Sequence, residues 1–474
     1  MSHAKGSIRF SFFARLITAV TLLLGTAGSL SSPAAAAPGS QLWAARYDGP
    51  GSYVDGATDV AVGPNGGRVF ATGHDFSDAT GWDYATVAYN ASTGTMLWLK
   101  RYNGPGDGQD EAAAIAVSPD GSRVFVTGFS YSATTSNDWA TIAYDASTGM
   151  KLWVKRYNGP ADVSDEARAI GMSPDGAAVF VTGRSFTSAQ SADYQTLAYR
   201  ASDGARLWDR RYNGPGDSLD EVEAIAVSPD GSAVFVTGAS DGSTTFADYA
   251  TVAYAASNGA TLWTKRHNDS IDGDDFARAV GVSPDGAMVF VTGSTAAVTR
   301  YDNYTTIAYA AATGAKIWQK SYNGPPDHID RAYAIAVSSD AVYVTGFSHG
   351  GSSTHFDYAT VAYKASDGSG LWTKRFNGPG SGDDQATAIA VSPSGSAVFV
   401  TGVSYSSTTL DDYATVSYDA ANGTTLWVKR YQRPSNDVAS DIVVSPEGSR
   451  VFVTGVSARP ATVSDYATVA YATA

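Results

Sequence analysis

Short runs of apolar and β-branched residues alternate with turn residues along almost the whole chain. Residues 138–160, which read DWATIAYDASTGMKLWVKRYNGP, contain two such runs joined by a turn that ends in Gly149. Each repeat adds two further runs of the types AIAVS and AVFVTG, bounded by Pro, Gly, Asn and Asp. Runs of this composition and length are typical of β-strands. The pattern therefore predicts four short strands in each repeat.

Eight repeats follow one another, each marked by a Leu-Trp or Ile-Trp pair. Neighbouring strand residues such as Phe180 and Val181 leave both faces apolar or small, so we expect each sheet to be covered on both sides. Radial packing of similar sheets provides that cover. We predict an all-β fold, an eight-bladed β-propeller with four antiparallel strands per blade. The pairs begin at Leu42, Leu97, Leu152, Leu207, Leu262, Ile317, Leu371 and Leu426.

The two ends of the repeated region are complementary. Residues 42–47 form an LW run with no other strand-like run of the repeat before them, and residues 465–471 form a DYATVAY run with no LW run after them. If the runs of a blade are ordered AIAVS, AVFVTG, DYATVAY and LWVKRY from the axis outward, the first run completes the last blade and closes the ring. A linear β-solenoid is the alternative, but it would not need complementary ends.

Residues 1–36 have the features of a secretory signal peptide. Basic residues precede an apolar run at 16–24 that is too short to cross a bilayer, and three alanines at 34–36 offer a cleavage site. We expect this segment to be removed, leaving residues 37–474 as a single propeller domain of a secreted, extracellular bacterial protein. An uncleaved anchor is the alternative. No later segment is apolar enough to cross a membrane.

The charge balance limits the partners. The chain has 32 Lys and Arg against 46 Asp and Glu, and it has no cysteine. An acidic protein of this kind is unsuited to nucleic acid or anionic lipid. The absence of cysteine excludes disulfides, thiolate metal sites and cysteine nucleophiles. We expect a monomer whose ligand is a protein, a carbohydrate or a small molecule.

The turn between the last two strands carries a recognisable spacing. Residues 143–153 read A-x-D-x-x-x-G-x-x-x-W, with Asp145, Gly149 and Trp153 at the specified positions. This spacing resembles the tryptophan-docking motif of the PQQ-like, quinoprotein-type repeat family, and the resemblance covers residues 42–474. It implies a propeller, and it raises pyrroloquinoline quinone (PQQ) and Ca²⁺ as possible ligands.

The resemblance is stronger for fold than for cofactor. The motif's acid recurs only at Asp419, and family enzymes that bind the quinone use additional loops and often a disulfide. We expect Trp43, which opens the repeats, to lack the upstream glycine. The glycine and tryptophan pairs are Gly94 and Trp98, Gly149 and Trp153, Gly204 and Trp208, Gly259 and Trp263, Gly314 and Trp318, Gly368 and Trp372, and Gly423 and Trp427.

The predicted strand order sorts the loops onto two rims. The SPDG and DASTG turns lie on one, the short-turn rim, while loops such as residues 103–112 and 129–137 lie on the other, the long-loop rim. Ligand sites favour long, variable loops, so we expect function on the long-loop rim. One acid recurs there in every repeat, either as a cap of its own loop or as part of a cation-attracting ring. The set is Asp55, Asp110, Asp165, Asp220, Asp275, Asp330, Asp384 and Asp437.

Residues that break the symmetry are the better site candidates. One position near the axis is Ala in six repeats but Asp59 and Asp441 in the first and last, which closure makes neighbours. Two adjacent carboxylates in a narrow channel suggest a bound cation or a raised pKa; the alternative is polar residues facing channel water. The preceding position also varies, and its distinctive members are Arg168, Glu223, Arg278 and Tyr333.

Two sets of residues have mainly structural interpretations. An Asp at the head of the third strand and an Arg on the fourth occur together in seven repeats, and both are lost in the fifth, where Asn303 and Ser321 replace them. We predict seven cross-strand ion pairs and one neutral pair. Trp82 and Trp139 stand outside the LW pattern, and core packing or ligand stacking would account for them.

No catalytic motif stands out. The acidic stretch at 269–275 could hold Ca²⁺ but lacks the EF-hand pattern, and the six histidines show no metal-binding spacing. We therefore interpret the chain as a non-catalytic binding scaffold. The alternatives are a PQQ-like propeller enzyme or cofactor binder with its site at the long-loop mouth of the channel, and a structural component of the cell envelope.

Overall fold

The β-branched runs of each repeat form strands, and the Pro, Gly and Asp clusters form the turns between them. A computed structural model describes residues 36–473 except residues 52, 189–190, 270–272, 297–300, 326, 352–354, 434 and 459–463. Within these residues there are 32 strands and no helix, and the strands form eight four-stranded antiparallel sheets. The eight-bladed β-propeller is therefore confirmed.

In each of the first four blades the strands follow chain order from the axis outward. Blade one has β2 (Gly56–Val62), β3 (Arg68–Ser77), β4 (Gly81–Asn90) and β5 (Met96–Tyr102); blade two has β6 (Asp110–Val117), β7 (Arg123–Ser132), β8 (Ser136–Asp145) and β9 (Lys151–Tyr157); blade three has β10 (Glu166–Met172), β11 (Ala178–Ser188), β12 (Ser191–Arg200) and β13 (Arg206–Tyr212); blade four has β14 (Asp220–Val227), β15 (Ala233–Asp241), β16 (Ala247–Ala255) and β17 (Thr261–His267).

The remaining blades follow the same order, and the last one takes its outer strand from the beginning of the chain. Blade five has β18 (Phe276–Val282), β19 (Met288–Ala296), β20 (Asp302–Ala310) and β21 (Lys316–Tyr322); blade six has β22 (Asp330–Val337), β23 (Ala341–His349), β24 (Phe356–Lys364) and β25 (Gly370–Phe376); blade seven has β26 (Asp384–Val391), β27 (Ala397–Ser406), β28 (Leu410–Asp419) and β29 (Thr425–Tyr431); blade eight has β30 (Asp437–Val444), β31 (Arg450–Ala458), β32 (Ser464–Ala472) and β1 (Gln41–Tyr47).

The ring closes as predicted. In blade eight, Trp43 pairs with Ala470 and Tyr47 pairs with Tyr466 in antiparallel register. The Trp43 indole N–H also donates to the Ala91 carbonyl of blade one at 2.9 Å. The two ends of the repeated region therefore form one sheet, so that blade eight has four strands like the other blades.

Each tryptophan of the LW strands packs one blade onto the next. Trp98 lies 5.8 Å from Phe70 of its own blade and 6.2 Å from Tyr144 of the next, measured between ring centroids. Its indole N–H donates to the Ala146 carbonyl at 3.1 Å. A Cβ atom at Gly149 would lie 2.8 Å from Trp98 Cδ2. The motif therefore docks each tryptophan on the glycine turn of the following blade rather than on its own.

The expectation that Trp43 lacks an upstream glycine is wrong. Gly39 stands four residues before it, as Gly94 does before Trp98, and it has a φ of +71°. A Cβ atom at Gly39 would lie 2.9 Å from Trp427 of blade seven. The docking contact is therefore complete around the ring, because Gly39 receives Trp427 while Trp43 packs on Gly94.

The seven predicted ion pairs are present, and the fifth blade has a neutral contact. Its Ser321 hydroxyl lies 3.1 Å from the Thr305 hydroxyl, so Thr305 rather than Asn303 makes that contact. The seven pairs have N–O distances of 2.5 to 2.9 Å and are Arg46–Asp465, Arg101–Asp83, Arg156–Asp138, Arg211–Asp193, Arg266–Asp248, Arg375–Asp357 and Arg430–Asp412.

Residues 36–474 form one compact unit. In the part of the chain that is described, no helix has the length and apolar character needed to cross a membrane. Apart from Ala36, the predicted signal peptide at 1–36 lies outside the described residues.

Candidate functional site

The inner strands of all eight blades surround a central channel. Its cavity has a volume of about 440 Å³. Residues of all eight inner strands line it, among them every axis residue singled out from the sequence except Arg278. These residues are Thr58, Asp59, Ala113, Ala114, Arg168, Ala169, Glu223, Ala224, Ala279, Tyr333, Ala334, Thr387, Ala388, Ser440 and Asp441, with Arg278 at the mouth next to Glu223.

Asp59 and Asp441 meet where the ring closes. The Val60 amide donates to Asp59 Oδ1 at 2.8 Å and to Asp441 Oδ2 at 3.2 Å, and the Ile115 amide donates to Asp59 Oδ2 at 2.8 Å. The carboxyl groups also hydrogen-bond to each other. Asp441 thus links blade eight to blade one, and Asp59 links blade one to blade two.

The surroundings of this pair favour a shared proton. Both side chains retain some exposure to the channel, but the channel lies deep within the ring. Desolvation, followed by repulsion from Asp441, raises the pKa of Asp59 well above its usual value. Desolvation also raises the pKa of Asp441. The two carboxyl groups thus favour holding one proton between them, as expected for two close acids in a poorly solvated site.

Alternating charges cross the mouth of the channel in blades three to five. Glu166 binds Arg168 at 3.0 Å and Arg184 at 2.9 Å, and Arg184 reaches across to Glu221 of blade four at 2.7 Å. Glu223 and Arg278 form a further cross-blade pair at 2.9 Å. These contacts neutralise most of the charge on this side of the mouth. The sequence singled out Arg168, Glu223 and Arg278 but did not reveal Arg184 as the residue that joins two blades.

The eight recurring acids lie inside the blades and cap their own loops. Asp110 Oδ2 accepts a hydrogen bond from the Gly104 amide at 2.7 Å, and Oδ1 accepts one from the Tyr131 amide at 2.9 Å. All eight side chains are buried. Burial raises the pKa of Asp220 to about 6 and that of Asp275 to about 7, although backbone donors oppose the shift. Each of the eight acids accepts at least one hydrogen bond from the protein's own backbone.

Blades one and six carry aromatic clusters on the long-loop rim. In blade six the rings of Phe347 and Phe356 lie 4.6 Å apart, and those of His328 and His349 also lie 4.6 Å apart. His74 and Trp82 occupy the positions of Phe347 and Phe356 in blade one, 5.5 Å from each other. Comparing equivalent positions between repeats could have identified these clusters, but only Trp82 was noted from the sequence.

Trp139, the second exceptional tryptophan, is part of the core. It is 1% exposed, and its indole N–H donates to the Arg184 carbonyl of the next blade at 3.2 Å. It therefore takes the packing role of the tyrosines at this position in the other blades.

One group of three carboxylates has the spacing for a metal ion. One oxygen from each of Asp48, Asp55 and Asp465 lies within 4.8 Å of the others. Asp55 already accepts two backbone hydrogen bonds, and Asp465 is paired with Arg46. Of the acidic stretch at 269–275, residues 270–272 lie outside the described part. Its ends are joined by the Asp269 amide, which donates to Asp275 Oδ2 at 2.8 Å.

The channel residues do not suit PQQ. This planar quinone has three carboxylates, which require cationic or N–H donors. The two arginines near the axis, Arg168 and Arg278, are already paired with glutamates. Asp59 and Asp441 would repel a bound carboxylate. The donor set of the described channel therefore disagrees with the cofactor that the repeat resemblance implies.

Fold and repeats together define a propeller of PQQ-like repeats. A family model described as outer membrane protein assembly factor BamB matches residues 28–305, 193–353 and 306–464. The chain therefore belongs to this family. No curated protein sequence matches it.

Solved structures show the same fold at low sequence identity. Sqt1 from Chaetomium thermophilum, bound to the N-terminus of ribosomal protein L10, has a TM-score of 0.59 at 14% identity, covering 86% of this chain and 96% of its own. BamB from Moraxella catarrhalis has a TM-score of 0.52 at 15% identity, covering 91% and 99%. Quinohemoprotein alcohol dehydrogenase from Comamonas testosteroni has a TM-score of 0.57 at 11% identity, covering 92% and 76%.

Proposed function

We propose that this protein is an exported, monomeric, non-catalytic scaffold that binds a partner protein through its long-loop rim. The supporting observation is the contrast between a uniform frame and a variable rim. The Trp docking contacts and the capping acids recur in every blade. The residues at the channel mouth change from Arg to Glu, Tyr, Thr, Ser or Ala. Specific sites on repeated folds lie where the repetition is broken.

The distribution of charge favours a basic partner surface. Exposed acids such as Asp107, Asp162 and Asp217 lie in the long loops. Basic side chains such as Lys155 and Lys265 are on the outer strands instead. An acidic face attracts a basic polypeptide by charge complementarity. Sqt1, a propeller of the same fold, is described with a bound polypeptide N-terminus, which is consistent with this use of the fold.

The proposal that the protein is exported rests on the predicted signal peptide at residues 1–36. A role as a structural part of the cell envelope would follow from the same export. It would not need a variable channel mouth, and for that reason we favour partner binding.

The absence of cysteine allows a direct test of the binding face. We would pan a library of displayed random peptides against the purified protein. A large polyethylene glycol maleimide would then block the long-loop rim in the variant Ala133→Cys/Ser407→Cys, or the short-turn rim in Ala177→Cys. All three positions are exposed. We expect selected peptides to lose binding only when the long-loop rim is blocked. Equal binding to both blocked variants would contradict the proposal.

Cofactor binding has its own test. PQQ and Ca²⁺ would be titrated into the purified protein while thermal stability and quinone absorbance are followed. A ligand that binds only the folded state raises the melting temperature. We expect no saturable shift with PQQ. A saturable shift accompanied by a change in quinone absorbance would favour the cofactor-binding alternative.

A further inference from the structure

A groove on the long-loop rim between blades six and seven is lined by two acids. Its cavity has a volume of about 400 Å³ and is lined by His355, Asp383, Gln385, Val403, Tyr405 and Asp411. No lysine or arginine is among the described residues that line it. The groove therefore combines two carboxylates with a partly apolar wall.

The two carboxylates lie close enough to repel each other. Desolvation, then repulsion from Asp383 and Asp412, raises the pKa of Asp411. The Phe356 amide lies 3.4 Å from Asp383 Oδ1, and His355 Nδ1 lies 4.0 Å from the same oxygen. A mobile cation or a cationic side chain would relieve this repulsion.

Blade five shows how the protein itself satisfies the same arrangement. Asp274 and Asp302 occupy the positions of Asp383 and Asp411, since Asp302 pairs with Ala296 as Asp411 pairs with Tyr405. Arg331 of the next blade binds Asp302 through Nε at 2.6 Å. The chain therefore places a guanidinium on Asp302, the blade-five equivalent of Asp411.

The equivalent base is missing next to blade seven. Arg331 is the second residue of β22 and pairs with Phe347; the second residue of β30 is Val438, which pairs with Val456. Val438 cannot neutralise Asp411. Asp302 thus has an internal guanidinium partner in blade five, whereas its equivalent Asp411 lines an open groove in blade seven.

The surroundings of the groove suit a polypeptide. Phe356, next to His355, begins the aromatic cluster of blade six and lies 5.6 Å from His349. Leu410, next to Asp411, is 49% exposed. Apolar groups beside a pair of acids fit a side chain that has an apolar stem and a cationic end, followed by apolar neighbours.

We infer that the groove between blades six and seven binds an arginine or lysine side chain from an extended segment of the partner protein. The cationic end of this side chain would pair with Asp411, as Arg331 pairs with Asp302 in blade five. The inference rests on the proposed function, since it names the chemistry by which the long-loop rim recognises its partner.

The peptides selected by panning provide the probe. Each would be synthesised with its arginines intact and with citrulline in their place, which keeps the shape and removes the charge. Because hydrogen bonds between charged groups are the stronger ones, we expect citrulline to weaken binding about tenfold or more. The variant Asp383→Asn/Asp411→Asn should bind both forms equally weakly.

Two further variants separate loss of the site from loss of the fold. Val438→Arg supplies the missing guanidinium, as Arg331 does in blade five, and should block the peptide without removing any groove residue. Asp274→Asn, in the occupied blade, should leave binding unchanged. Both would be checked for parental thermal stability.

Each outcome decides the inference. Peptides that bind the long-loop rim but are insensitive to citrulline or to the groove variants would overturn it and leave the proposed function intact. Failure to select any peptide for that rim would overturn both. Saturable stabilisation by Ca²⁺ alone that is lost in Asp383→Asn/Asp411→Asn, or binding of neutral glycans to the same groove, would replace the cationic side chain with another ligand.

Discussion

Arg46 on the first strand forms a 2.6 Å ion pair with Asp465 on the last strand, 419 residues further along the chain. Asp465 is fully buried, and the Arg46 side chain is only 16% exposed. The pair joins the two ends of the repeated region across the closing sheet. Removing the arginine leaves a buried carboxylate without its main counter-charge, which costs more than the pair itself contributes.

We therefore predict that Arg46→Ser destabilises the protein by about 3 kcal/mol. The double variant Arg46→Ser/Asp465→Asn should recover most of this loss, because it removes the buried negative charge together with its counter-charge. Unfolding in guanidinium chloride, analysed as a double-mutant cycle, measures the coupling. Arg156→Ser/Asp138→Asn provides the same cycle inside a blade. Additive effects in both cycles would contradict the prediction.

A second prediction concerns the glycine turns that receive the tryptophans. Gly149 has a φ of +68°, and a Cβ atom there would lie 2.8 Å from Trp98 Cδ2. An alanine would be strained in this backbone conformation and would displace the indole, so Gly149→Ala should cost about 2 kcal/mol or more. Thermal unfolding would show a lower melting temperature.

Gly370 is the matched control. It lies in β25, and a Cβ atom there would meet nothing within 4 Å. Gly370→Ala reduces the freedom of the unfolded chain without a clash, so its stability should equal or exceed that of the parent. Equal losses from both substitutions would mean that the docking contact is not what Gly149 provides.

Much of the frame could be predicted because the same pattern of strands and turns recurs eight times in the sequence. The simultaneous loss of acid and base at Asn303 and Ser321 revealed which residues form pairs. The proximity of Asp59 and Asp441 followed from the predicted closure of the ring. Gly39 was missed because its hairpin is split between the two ends of the chain: β32 is at the carboxyl end, while Gly39 lies just before β1.

Apart from the contact of Asp59 with Asp441, side-chain contacts between blades could not be predicted from the sequence. Arg184 reaches Glu221 and Arg331 reaches Asp302 across a blade boundary. The distances between these residues depend on the rotation from one blade to the next and on side-chain length. Neither can be derived from the spacing of residues within a repeat. The candidate site is made of such contacts. Its residues could therefore be predicted from the sequence, but which of its acids are neutralised and which line an open groove could not.

A third prediction concerns the buried imidazole of His74 in blade one. His74 occupies the position of Phe347, and burial lowers its pKa to about 4. A base whose pKa is lower in the folded protein than in the unfolded chain stabilises the fold fully only above its pKa in the unfolded chain, which is 6.5. That contribution is lost as the pH falls towards 4, because the unfolded chain takes up the proton first. His74→Phe should therefore be more stable than the parent at pH 5, by about 2 kcal/mol relative to their difference at pH 8.

The measurement is the melting temperature of both proteins between pH 4.5 and 8. Phe347→His makes the reciprocal change in blade six and should introduce a loss of stability at low pH. If the His74→Phe and parent curves run parallel across this range, the imidazole is not buried as a neutral group.

The last prediction concerns the carboxyl pair of the channel. Because the pKa of Asp59 is raised above 3.8 in the folded state, the folded chain holds this proton more tightly than the unfolded chain does. The stability that Asp59 contributes is complete below its pKa in the unfolded chain. It is lost as the pH rises through its pKa in the folded protein. Asn cannot ionise, so Asp59→Asn should lose less stability than the parent between pH 4.5 and 8.

Urea unfolding across this range measures the difference between variant and parent, which removes the contribution of other titrating acids such as Asp275. The difference should grow in favour of Asp59→Asn with rising pH, and Asp441→Asn should act in the same direction. A flat difference for Asp59→Asn would mean that both channel carboxylates ionise without mutual repulsion, and the ring would then close without a shared proton.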